Sequence, residues 1–221
     1  MQAYHFNNGR TLRNGRPLPA IGETLIHDGE VIPCQLGLHG CEHPFDAFTY
    51  ALGLTLDRVI LGGNIVPHGD PVDKYAASER TRTATIDATP LVVKFTGWCS
   101  NRAARNVANA ARNAARIAAD AARNVDSAAD AARIAAYLAR NVANAARNVA
   151  NAARIAANAA SAADAADAAY TARNAADTAR IAAYMARNAA DADRNTAYEV
   201  ERQLQRDYFL AMVEDAFENT R

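Results

Sequence analysis

Four residues with metal-binding or nucleophilic side chains fall within ten positions: Cys34, His39, Cys41 and His43. Two thiols and two imidazoles are the ligand types that tetrahedral zinc prefers. The order here is Cys-x4-His-x-Cys-x-His, which demands a far tighter wrap than paired ligands flanking a long finger. We therefore expect no metal, and a strand-plus-turn with buried Cys and satisfied His instead. A Cys–His nucleophile pair in the same stretch lacks a third group to orient the base. A second polar stretch holds Asn64, His68, Asp70 and Asp73 among Gly and Pro, followed by Arg80-Thr-Arg-Thr. Such a loop either lines a ligand cleft or connects two elements through solvent; the expectation is the connection. P-loop, Rossmann, His-Glu-x-x-His and Gly-x-Ser-x-Gly patterns are missing, so no catalytic residue is assigned and no cofactor is expected.

These side chains sit in the first of two regions with different grammars. All 11 Gly and all 7 Pro of the 221-residue chain lie at or before Gly97. Residues 1–97 carry short apolar runs bounded by Gly, Pro, Asn or Asp: Thr24-Leu-Ile, Val31-Ile, Arg58-Val-Ile-Leu and Pro90-Leu-Val-Val-Lys-Phe. That is strand grammar. Phe45, Phe48 and Leu52 stand at helical spacing. We expect a small α+β domain over 1–97.

Beyond Gly97 the chain is dominated by alanine, 45 of residues 101–200. Alanine has the highest helix propensity, and 13 Asn are the main local opposition. Arginines recur every seven residues in blocks, including Arg105/Arg112, Arg116/Arg123 and Arg133/Arg140/Arg147/Arg154. Two slips of phase coincide with Ser127-Ala-Ala-Asp130 and Ser161-Ala-Ala-Asp164, which resemble capping boxes. The expectation is three helices, near 101–125, 128–160 and 162–219, forming an all-α, Ala-rich region over 98–197, coiled-coil-like or an antiparallel bundle. One unbroken rod over 101–200 would be about 150 Å long and need a partner throughout. Ile134, Leu138, Val142 and Val149 mark a seam, with the Arg row beside it. Residues 198–221 bring bulk (Val200, Leu204, Tyr208, Leu210, Val213, Phe217). We read them as an anchoring continuation of the last helix, docked on the first domain or on another subunit.

Charge is balanced, 24 basic against 24 acidic, with 9 Arg against 3 Asp in 101–160. Such Arg rows offer phosphate contacts. Equally, they keep an Ala bundle wet through pairing with Asp120, Asp130, Asp164, Asp177 and Asp191, and that solvated face is the expectation. No signal peptide and no membrane-length apolar run stand out. With three cysteines, the expected location is cytoplasmic or virion-associated, without a membrane partner.

By Tyr4-His5-Phe6, Cys34-Gln-Leu-Gly-Leu-His39, Pro44-Phe-Asp-Ala-Phe-Thr-Tyr-Ala51 and Leu56-Asp-Arg-Val-Ile-Leu-Gly62, residues 1–97 resemble an uncharacterised domain of phage and bacterial proteins. Its members are often followed by Ala/Arg-rich helical repeats. That resemblance implies phage or bacterial origin and no established activity. The same order of elements is similar to ADP-ribosyltransferase folds of the His-Tyr-Glu type. This second resemblance implies an NAD- or nucleotide-binding role for His5 and Tyr50, with Gly37 and His39 beside them. The chain departs from the pattern at the Glu: within the first domain only Glu79 follows the Leu56–Gly62 strand, in a stretch that reads as a polar loop.

Together these readings give a non-enzymatic structural or protein-interaction protein that self-associates through its Ala-rich helices. A host or phage protein is its second expected partner, and host interference its expected role. NAD or nucleotide binding is the alternative, and nucleic-acid binding by the Arg rows the third.

Overall fold

The computed structural model describes residues 1–12, 14–123 and 194–220, together with scattered helical positions between 132 and 180. The described chain runs β1 (Gln2–Asn7), β2 (Thr24–Ile26), β3 (Leu38–Gly40), α1 (Pro44–Thr49), β4 (Thr55–His68), β5 (Lys74–Asp87), α2 (Thr89–Ala122) and α3 (Arg194–Glu218). The first region is thus α+β, built on a five-stranded antiparallel sheet. Among the described residues no helix is long and apolar enough to cross a membrane.

β4 and β5 form a 14-residue-per-strand hairpin that carries the rest of the sheet. β1 pairs with one edge of β4, while β2 and then β3 pair along the free edge of β5. Register breaks at Arg58/Val59 and Gly62/Ile65 bend the hairpin, as bulges do by adding a residue to one strand only. The bend lets Cys41, just past β3, meet β1: Tyr4 and Cys41 exchange backbone hydrogen bonds of 2.8 and 3.0 Å. The sheet so curls back on its own first strand. Small and branched side chains fill the inside of the curl, with Ala3, Val59, Leu61 and Ala77 buried and Ile65 and Tyr75 packed on them.

The opposite face of β1 presents Tyr4 and Phe6. Phe6 meets Phe48 of α1, and Phe48 meets Phe209 of α3. Among the described residues, one compact unit is 1–92 with 206–220, and the other holds 93–123 and 194–205. Phe209, Met212, Val213 and Phe217 are buried, whereas Val200 and Leu204 are exposed. From Arg206 the C-terminal helix belongs to the first unit: Phe209 packs on Phe45 and Phe48 of α1, and Arg58 of β4 lies over the Phe217 ring.

Four expectations change. Pro90-Leu-Val-Val-Lys-Phe is the start of α2, not a strand. Its Pro lies in the first helical turn, where a missing N–H costs nothing, and Asp87 Oδ1 accepts from Thr89 N at 2.9 Å. Val31-Ile forms no strand beyond one isolated bridge, Ile32 to Leu36. Arg80-Thr-Arg-Thr and Glu79 lie within β5 and not in a loop. Leu52 falls after the end of α1 and is exposed. The capping-box pairs Ser127/Asp130 and Ser161/Asp164, and the seam Ile134, Leu138, Val142 and Val149, lie outside the described residues. Arg105, Arg112 and Arg116 of α2, and Arg123 just after it, are exposed. Arg123 reaches Asp120 at 3.3 Å, and Arg180 pairs with Asp177.

Candidate functional site

Three segments converge at the far end of the β4–β5 hairpin. His68 ends β4 and Lys74 opens β5, and the two are direct partners in the ladder. Cross-strand partners project from the same face, so both side chains reach one point. That point is the sulfur of Cys34. Lys74 Nζ donates to Cys34 Sγ at 3.0 Å, and His68 Nε2 lies 3.4 Å from the same atom.

Cys34 occupies the tip of a tight turn closed by the Ile32–Leu36 bridge. It is exposed, and its φ is +67°, the left-handed region that costs an L-residue about 1–2 kcal/mol. The strained backbone is held by its neighbour: Cys34 N–H donates to His39 Nε2 at 3.2 Å. His39 is therefore an acceptor at Nε2, which fixes its tautomer. Gly37, between them, has φ +109°, and a Cβ there would lie 3.2 Å from Ala77 O and Val31 Cγ1. The close strand approach that sets the Cys34 turn thus needs glycine.

Lys74 is only 8% exposed. Among the described residues, no carboxylate lies within ion-pair distance of it. Its ammonium instead sits 3.9 Å from the centroid of the Tyr50 ring, a cation–π contact. Tyr50 is held by its hydroxyl, which donates to Asp73 Oδ2 at 2.6 Å. Burial, followed by that bond to Asp73, raises the Tyr50 pKa, so the phenol stays protonated. Asp73 Oδ1 is buried and accepts from no group. The buried ammonium thus faces a sulfur on one side and an aromatic ring on the other.

The second thiol differs in kind. Cys41 is buried in the β1–β3 link, and burial, then Asp46 and Asp73, push its pKa up to about 12. His43 is the N-cap of α1, its Nδ1 accepting from Phe45 N at 3.1 Å. The four residues of the metal reading thus serve different structures: an exposed turn, a strand, a strand link and a helix cap. Among the described residues no group of three His, Cys, Asp or Glu is placed to hold a metal ion.

Of the residues singled out for nucleotide binding, His39 and Tyr50 border the Cys34 cluster, and Gly37 shapes it. His5 lies on β1, where burial and then Arg80, His39 and Arg82 hold its pKa well below the ordinary imidazole range. It belongs to a buried polar set: Arg82 Nε lies 2.9 Å from Asp57 Oδ2, Asn7 Nδ2 donates to that oxygen at 2.7 Å, and Arg80 donates to His39 O at 2.8 Å. Burial lowers Arg80 to about 10.

Sequence reasoning pairs Cys34 with the nearby imidazoles and places His68 and Asp73 in a separate loop. It passes over Lys74, although a signal exists. The chain has 22 Arg and just two Lys, Lys74 and Lys94. A compact ammonium is a point donor on a flexible stem, unlike the planar guanidinium fork.

A family model described as "Domain of unknown function (DUF7666)" matches residues 4–94. No curated protein and no solved structure matches the chain. The matched segment contains every residue of the Cys34 cluster.

Proposed function

We propose that the α+β unit is a cysteine-centred reactive module, with Cys34 as its nucleophile. The observation that carries this reading is the Lys74 ammonium, 3.0 Å from Cys34 Sγ and buried, with no carboxylate within ion-pair distance among the described residues. Lys74 stabilises the anionic sulfur and His68 carries its proton. Tyr50 and Asp73 are positioning residues: the Tyr50 ring faces the ammonium, and Asp73 holds the Tyr50 hydroxyl. Thiols are activated in this way by adjacent cations and a base. Alkylation of the full chain with iodoacetamide, followed by peptide mass mapping, tests the reading. Cys34 should react ahead of Cys41 and Cys99, and about tenfold faster in the native chain than in the urea-unfolded chain. Equal native and unfolded rates at Cys34 would end this reading.

The Ala-rich region supports a second role, self-association. Tyr137 and Tyr170, at helical positions, are 67% and 62% exposed. Aromatic rings on Ala-rich helices are natural contacts for a second copy, because each Ala buries little area by itself. In this reading the helices form a coiled-coil-like or antiparallel bundle, and the reactive module is displayed on it. Light scattering should give a mass above one chain, falling to one chain in the Tyr137→Arg/Tyr170→Arg double variant. A monomer in the unaltered chain at high micromolar concentration would remove this role.

A further inference from the structure

We infer that the substrate class of the Cys34 centre is the low-molecular-weight disulfide, and that the centre performs thiol–disulfide exchange. This rests on Cys34 being a nucleophile, as proposed above. The surroundings of the sulfur discriminate between the two common fates of such a cysteine.

Acyl transfer places negative charge on a carbonyl oxygen and needs N–H donors waiting for it. The natural donors are the amides of the nucleophile's own turn, and all three are spent. Cys34 N–H donates to His39 Nε2. Gln35 N–H and Leu36 N–H both donate to Ile32 O, at 3.0 and 2.8 Å. The turn that exposes the sulfur thereby closes the place where an oxyanion would be held.

Attack on a disulfide has no such requirement, because charge passes from one sulfur to another along the S–S–S line. It needs an exposed sulfur, a cation to stabilise its anionic form, and a group to take up and return one proton. Cys34 is exposed, Lys74 is the cation, and His68 Nε2 is 3.4 Å away. In the reaction the Cys34 proton passes to His68, and the Cys34 sulfur forms a bond to one sulfur of R–S–S–R. The S–S bond of the disulfide breaks, its electron pair leaving on the other sulfur, and the departing thiolate takes the proton from His68. The sum is Cys34–SH plus RSSR giving Cys34–S–SR plus RSH, with no other oxidant. Cys41 is buried, so the mixed disulfide is expected to persist until an external thiol reverses it. The centre would then be a reversible capture site for small disulfides.

The test treats the full native chain with oxidised glutathione, an acyl thioester of N-acetylcysteamine and iodoacetamide in parallel, at one neutral pH. Intact mass and peptide mapping follow each reaction. The expected result is one glutathionyl group on Cys34, removed by reductant, and no acyl group. Its rate should be about tenfold above that of the urea-unfolded chain. Lys74→Met should lose that advantage and Lys74→Arg recover part of it, with circular dichroism confirming that each variant folds. Acylation of Cys34, or fast alkylation without glutathionylation, would overturn the substrate class and leave the nucleophile standing. Slow reaction of Cys34 with all three reagents would overturn the nucleophile itself.

Discussion

Phe209 stacks on Phe48 with ring centroids 5.3 Å apart and planes 28° from parallel, both rings fully buried. Phe6 meets the same Phe48 ring at 5.5 Å, and Phe45 meets Phe209 edge-on at 6.0 Å. Residues from the two ends of the chain thus share one aromatic core. Arg206 to Asp46 and Glu214 to both Tyr4 and Arg58 add polar contacts at its edges.

Phe209→Ala should cost about 3–5 kcal/mol, the usual loss for a buried aromatic that leaves a cavity. Urea unfolding followed by circular dichroism measures it. A loss under about 1 kcal/mol would mean that the C-terminal turns are not part of this core.

His43 makes the fold acid-sensitive. Burial first, and Arg206 second, hold its pKa near 4 instead of 6.5. The unfolded chain therefore takes up a proton near pH 6.5 that the folded protein refuses until about pH 4. Stability is complete above the unfolded value and falls as pH drops between the two. Since His43 is partly exposed, we expect about 1–2 kcal/mol from this one group. Asn also caps helices, so His43→Asn should keep the cap and lose less stability than the unaltered chain between about pH 7 and about pH 5. His5, depressed in the same direction, supplies the slope that remains.

Glu201 is 3% exposed at its side chain and holds Arg102 by two hydrogen bonds of 2.7 and 2.6 Å. Arg102 also lies over the Trp98 ring at 5.0 Å. Arg102→Ala leaves a buried carboxylate unpaired and should cost about 3 kcal/mol. The double variant Arg102→Met/Glu201→Met should recover most of that loss, because no charge is then left in the interior. Chemical denaturation of the two variants decides the point, and equal losses would argue against it.

Gly37→Ala should cost about 2 kcal/mol, combining positive-φ strain with contact against Ala77 O and Val31 Cγ1. Gly15→Ala is the control: its φ is +81° with nothing within 4 Å, so only strain is added there. The difference between the two isolates the close approach that sets the Cys34 turn, and thermal unfolding reads it.

Local chemistry made part of this fold legible. Thr24-Leu-Ile and Arg58-Val-Ile-Leu have strand composition and lie in strands, and Tyr4-His5-Phe6, a strand by the family resemblance, is one as well. Pro44 to Phe48 is helical for the reason given by its spacing. β5 was not legible, because Ser78-Glu-Arg-Thr-Arg-Thr-Ala-Thr is polar on both faces. Its inward arginines are tolerated because Asp57 and the His39 carbonyl meet them.

What the sequence determined by itself is therefore the α+β character of the Gly/Pro-bearing region and the helical character of the described Ala-rich residues that follow it, since propensity and turn chemistry act over a few residues. The partners of Cys34 were decided only by the tertiary structure. His68 and Lys74 stand 34 and 40 residues further along the chain, and no spacing rule relates them to it. A bent hairpin brings them together, ladder register points both at one sulfur, and among the described residues no carboxylate comes within ion-pair distance of Lys74. Each of these is a property of packing, and none is written in any short stretch of residues.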